Sequence, residues 1–107
     1  MTETTVFEAG DFHAVESMEL VWDHSAAVPE LRMHLVLHNT EHEEQRLSLD
    51  FFGVADLKLQ AALSYNDRIG TLRIRDIRER EWSDMNFEVY EPGDNGLYFM
   101  CSSWASK

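Results

Sequence analysis

The stretch QRLSLDFFGVADLKLQ, Gln45 to Gln60, decides the fold. Leu47, Leu49 and Phe51 alternate with Arg46, Ser48 and Asp50. After the glycine, Leu57 and Leu59 alternate with Asp56, Lys58 and Gln60. Both halves carry the period of two that marks a strand with one buried face. A single strand of this length would run about 50 Å at ~3.3 Å per residue, too long to stay straight in a small domain. The chain must therefore bend or break near Gly53, the residue best suited to it. Because the buried parity is odd on both sides, a sharp bend or short turn over Gly53 to Asp56 is expected to return the second part to the same core. Phe52 and Val54 are apolar on the wrong parity, which suits the cap of a barrel end, a second apolar layer or a partner contact.

The same period extends outward from this stretch. In LRMHLVLHN, Leu31, Met33, Leu35 and Leu37 share one face and Arg32, His34 and His38 the other, with Val36 the exception. TLRIRDI buries Leu72 and Ile74 and then slips to Ile77, as a β-bulge would. MNFEVYE places Met85, Phe87 and Val89 inward, and EPGDNG has the turn chemistry of a hairpin leading into the last strand. That strand, LYFMCSSW, is apolar on both parities: Leu97, Phe99 and Cys101 on one, Tyr98, Met100 and Trp104 on the other. A central strand covered on both faces fits this pattern, and so does a homodimer contact. FHAVESMELVWD alternates at Met18, Leu20 and Trp22, although its first part also tolerates a helical turn. The expected fold is mainly β: a single-domain antiparallel β-sandwich or partly open β-barrel over residues 1–107, with at most one or two short helical turns.

The chain has 107 residues, 44% of them hydrophobic, and 20 Asp and Glu against 9 Lys and Arg give a net charge of −11. Such a balance disfavours nucleic-acid binding, which draws its affinity from cations set against phosphates. The charge is uneven: no Lys or Arg precedes Arg32, while Glu3, Glu8, Asp11, Glu16, Glu19, Asp23 and Glu30 all do. The N-terminal part thus carries its own negative field, which serves solubility and suits the steering of a basic partner. One cysteine, no apolar start and no long uncharged apolar run point to a reducing cytoplasm and away from a membrane-spanning role.

Chemistry-bearing residues are scattered rather than convergent. His34, His38 and His42 recur every four residues, but on a strand His34 and His38 stand about 13 Å apart, too far to share one metal ion with bonds near ~2.1 Å. Asp23, His24 and Ser25 have the composition of a hydrolytic triad, yet adjacent residues in an extended chain point to opposite sides and cannot converge. They read as a polar turn. Cys101, in an apolar strand without a basic neighbour, reads as a buried inert thiol. There is no phosphate-binding glycine loop or dinucleotide fingerprint. No catalytic, cofactor or metal residue is therefore assigned. Arg73, Arg75, Arg78 and Arg80 are interleaved with Asp76, Glu79 and Glu81, and Arg73 and Arg75 can pair with acids of a neighbouring strand.

Three pieces, LDFFGVADLKL, IRDIRERE followed by MNFEVYE, and NGLYFMCSSW, resemble small bacterial all-β proteins related to the immunity proteins encoded beside polymorphic toxins. The resemblance covers about Arg46 to Trp104, with an echo at Phe12 and His13, and rests on sheet patterns rather than catalytic motifs. It implies a non-enzymatic inhibitor that blocks a protein toxin by binding, without a cofactor. A basic toxin domain would suit the acidic surface. The residues expected at that contact are Glu16, Glu19, Asp23, Glu41, Glu43 and Glu44 for steering and rim ion pairs, with Trp22 and Trp82 as aromatic anchors. The alternatives are a ligand-binding or enzymatic β-barrel with polar groups such as His13, Arg73 and Tyr98 converging in a pocket, and a structural homo-oligomer.

Overall fold

The computed structural model describes residues 4–25, 27–58, 70–81, 85–91 and 97–106. Nine strands are present among them: β1 (Thr4–Glu8), β2 (Phe12–Asp23), β3 (Glu30–Asn39), β4 (Arg46–Phe52), β5 (Ala55–Lys58), β6 (Arg73–Asp76), β7 (Phe87–Tyr90), β8 (Tyr98–Cys101) and β9 (Ser103–Ser106), with a 3-10 turn at Arg78–Arg80. They form a five-stranded sheet in the order β1-β6-β7-β8-β5 and a four-stranded sheet in the order β2-β3-β4-β9. Every pairing is antiparallel. The sheets face each other as a sandwich and do not close into a barrel.

The core lies where the odd-parity residues meet. Met33, Leu35, Leu37, Leu49 and Phe51 from the four-stranded sheet pack with Ile74, Val89, Phe99 and Cys101 from the other. Two ring contacts stitch the layers. Phe51 meets Phe99 edge-on with centroids 4.9 Å apart, and Phe7 meets Trp104 at 5.2 Å. Edge-to-face pairs add about 0.5–1.5 kcal/mol to the burial of the rings.

The opening stretch is two strands in different sheets. Gly53, at φ +66°, turns the chain out of β4 and into β5 across the sandwich, a left-handed conformation that glycine adopts without strain. The last strand makes the reverse crossing at Ser102, between β8 and β9. The two crossings touch: the amide and hydroxyl of Ser102 both donate to the Phe52 carbonyl, each at 2.9 Å. A Cβ on Gly53 would stand 2.5 Å from the Ser102 hydroxyl, so the corner needs glycine for space as well as for φ.

Several expectations are corrected by this arrangement. The bulge expected at Ile77 is absent; β6 ends at Asp76, and the fully buried Ile77 leads into the 3-10 turn. FHAVESMEL is strand throughout, with register shifts after Phe12 and Val15 in place of a helical turn. Val54 belongs to the core, whereas Phe52 is half-buried beneath the Arg32 guanidinium, 4.6 Å from the ring centroid. His38 is buried despite its outward parity. Met85 and Phe87 are only half-buried, while Glu88 between Phe87 and Val89 is buried. β8 has neighbours on both sides, β7 and β5, and both of its faces are covered or hydrogen-bonded within the chain, as expected of a central strand. β7 and β8 pair as the hairpin requires; residues 92–96 of its turn lie outside the described residues.

Candidate partner-binding surface

The acids singled out in the sequence are spread along the four-stranded sheet. At one end, Asn39 terminates β3, and its side-chain oxygen accepts from the amides of Glu41 (2.8 Å) and His42 (3.0 Å). This local staple shapes an acidic turn with Glu41, Glu43 and Glu44 exposed. At the other end, Trp22 and Asp23 close β2 opposite Leu31 and Glu30 at the start of β3, while Glu19 pairs with His34 midway along it. The ten-residue β3 sets Asp23 about 30 Å from the acidic turn at ~3.3 Å per residue, and Glu19 about half as far. Glu16 also lies between the ends. It occupies the β2 bulge and accepts a hydrogen bond from Arg46 Nε at 2.6 Å, so its charge is matched within the chain. Trp82 lies outside the described residues.

The end of β2 is the apolar part of the surface. Leu20, Val21 and Trp22 are 45%, 56% and 59% exposed, and Val28 in the following turn is 74% exposed. Leu20 and Trp22 have the parity of the core, pairing with Met33 and Leu31, yet they stay about half exposed at this end of the hairpin. Between Trp22, Val28, Pro29, Leu31 and the Gly53–Ser102 corner lies a groove of ≈ 410 Å³, with Met85 on its wall. Asp23 closes the strand by accepting the Ser25 amide at 2.9 Å, and hydrogen bonds from the Ser25 side chain and then its amide hold the carboxyl below the ordinary carboxylate range. Asp23, His24 and Ser25 are therefore a turn, as their adjacency implied.

The outer face of the same sheet carries one organised polar pair. His34 faces Glu19 on β2 and Asp50 on β4, and its Nδ1 donates to Asp50 Oδ1 at 2.6 Å. The shallow depression around it, ≈ 210 Å³, is lined by Glu19, Val21, Arg32, Met33, His34 and Asp50. No hydroxyl or thiol is among those residues, so the pair is not part of a Ser- or Cys-type triad. His42 is in the acidic turn, 3.9 Å from Glu44. Among the described residues no group of three or more His, Cys, Asp or Glu side chains could hold a metal ion.

The five-stranded sheet presents a different surface. Arg73, Tyr90, Tyr98 and Lys58 form one cross-strand row, and Arg75, Glu88 and Met100 the next. Glu88 is its hub. The carboxylate accepts from Tyr98 Oη at 2.6 Å and meets Arg75 Nη1 and Arg80 Nη1 at 3.4 Å each. Arg75 also donates to Tyr90 Oη at 2.9 Å and stacks on that ring. Burial, reinforced by the Glu88 carboxylate, pushes the Tyr98 hydroxyl up to about 12, whereas the Arg75 hydrogen bond lowers that of Tyr90. The arginines pair with acids as the sequence suggested: Arg73 approaches Glu8 on β1 at 3.5 Å, and Arg78 meets Asp76 at 2.5 Å. His13 lies on β2 of the opposite sheet, so His13, Arg73 and Tyr98 do not converge on a pocket. Cys101 is fully buried, and desolvation lifts its thiol to about 12, which makes it inert at neutral pH.

Exposed Leu20, Val21 and Val28 were not anticipated as contact residues, although the density of apolar side chains next to acids is visible in MELVWD, Met18 to Asp23. Among the described residues no helix is long and apolar enough to cross a membrane. No curated protein and no solved structure matches the chain. The family model for Immunity protein PIM8 matches residues 7–107, taking in strands of both sheets, and the chain belongs to that family.

Proposed function

We propose that this protein neutralises a toxin by binding it as a folded inhibitor in the cytoplasm, with no covalent step. Membership of the PIM8 immunity family over residues 7–107 carries this reading. The surface supports it: apolar side chains exposed at the β2–β3 end are flanked by Glu19, Asp23 and Glu30, the composition of an anchor with a charged rim. A net charge of −11 favours a basic toxin domain and speeds its capture at low salt. The test is protection in a cell. The toxin domain encoded beside this gene is expressed with and without the full chain, and growth is followed. Survival that depends on the chain supports the proposal; equal killing in both cultures ends it.

A further inference from the structure

We propose that the toxin docks by adding a β-strand to the open edge of β2 between Ser17 and Asp23, a strand whose side chains alternate between cationic and apolar. The inference rests on the toxin-binding reading and names the contact.

Edge strands expose unpaired backbone donors and acceptors, and natural proteins guard them with bulges, prolines, lysines or short length. Three of the four sheet edges here are guarded. β1 has five residues and a register shift between Thr5 and Phe7. β5 has four residues, an irregular register between Ala55 and Lys58, and Asp56 at φ 54°. β9 has only four residues. The fourth, β2, runs for 12 residues and among the described residues has a strand neighbour on one side only, β3. Its register shifts are confined to the first part. From Ser17 to Asp23 it pairs with β3 residue by residue without interruption. That segment, Ser-Met-Glu-Leu-Val-Trp-Asp, contains no proline, and its charges are Glu19 and Asp23 alone, which repel an acidic strand but suit a cationic one.

The side chains along the edge define what can pair with it. Glu19, Val21 and Asp23 face outward, with Glu30 opposite Asp23. Leu20 and Trp22 point to the other face and are 45% and 59% exposed. A complementary strand therefore carries Lys or Arg on the Glu19 face and apolar groups on the Trp22 face. Arg32, opposite Val21, is stacked on Phe52 and leaves the acids of this face in excess. A second copy of the chain fits poorly, since self-pairing would set Glu19, Asp23 and Glu30 of both copies on one continuous face between two molecules of charge −11.

The experiment is residue-resolved amide hydrogen exchange on the full chain, alone and with the toxin domain encoded beside its gene, with light scattering on both samples. The expected result is a complex in which alternate amides between Ser17 and Asp23, those pointing away from β3, slow by about tenfold or more. Val21→Lys, which installs an edge guard, should remove that protection and weaken binding by about tenfold or more, while the β3-facing amides stay protected and report an intact sheet. A complex that leaves the β2 edge amides unchanged overturns strand addition and leaves toxin binding standing. No complex with that domain removes both. A dimer of the chain alone, with β2 amides protected as concentration rises, assigns the edge to self-association and overturns the inference.

Discussion

The outer face of the five-stranded sheet and the free end of β2 are both rich in charged and aromatic side chains, yet they are built on opposite rules. On the first, Glu88 gathers Arg75, Arg80 and Tyr98 around a buried carboxylate, and Tyr90 takes a further hydrogen bond from Arg75. On the second, Glu19 lies in the open beside exposed Leu20, Val21 and Trp22, with no ion pair to Glu19 among the described residues. The polar residues of one region are spent on the fold. Those of the other contribute little to it and remain available to a partner. Composition alone does not separate the two; what separates them is whether each group already has its complement.

Glu88→Ala tests this division most severely. It removes the shared acceptor of two guanidinium groups and a phenol at once and should cost about 2–4 kcal/mol of stability by urea denaturation, with the affinity of the folded fraction for the toxin unchanged. A cost below about 1 kcal/mol would mean that the hub is not structural. Trp22→Ala should do the reverse: about 2 kcal/mol or more of binding energy lost by calorimetry, but less than ~0.5 kcal/mol of stability. If unfolding shifts as much as binding does, the two regions are not distinct. Tyr98→Phe removes one hydrogen bond to the Glu88 carboxylate and should cost about 1–2 kcal/mol at pH 7. The Tyr98 hydroxyl is raised in the folded state, so its stabilisation is complete below pH 10 and is lost as pH rises from 10 through about 12. The variant should therefore show a shallower alkaline decline than the parent in denaturation midpoints across that range.

The smallest effect should come from the acidic turn at the far end of the sheet. Reversing Glu41, Glu43 and Glu44 to Lys should slow toxin association severalfold at low salt and leave dissociation unchanged, because these charges steer without touching. Glu19→Lys should alter both rates in stopped-flow traces. Equal effects at the two ends would erase the distinction between contact and long-range field.

The strands were legible because burial follows local alternation. Leu31 to Leu37, Leu47 to Phe51 and Ile74 all face the core as their parity predicts. The break at Gly53 was legible too, since only glycine relieves both the length and the backbone angle. Its destination was not: nothing local says that β5 joins the other sheet. Glu88 was hidden for the same reason, because its complement arrives from β6, β8 and the 3-10 turn. Leu20 and Trp22 follow the core parity yet stay about half exposed, since alternation reports which way a side chain points and not how fully it is covered there. The candidate acids form two runs in the chain, Glu16 to Asp23 and Glu41 to Glu44, and pairing with β3 spreads them along the sheet, with Glu19 midway and Asp23 at the far end from the acidic turn.

The paired crossings at Gly53 and Ser102 bear on how the molecule comes apart. Strands β4 and β9 pair in one sheet, their continuations β5 and β8 pair in the other, and the Phe52 carbonyl holds both chains at the bend. Neither sheet can unravel without pulling on its opposite through covalent chain at two adjacent points. Melting should thus be all-or-none, and the Ser102 amide should exchange only when the whole sandwich opens. Refolding must bring β9 back to β4 and β6 back to β1 across long loops before either sheet is complete, which makes the corner a late and slow closure. An inhibitor stitched in this way opens only as a whole, so its native state is shielded from partial unfolding while it waits for its target.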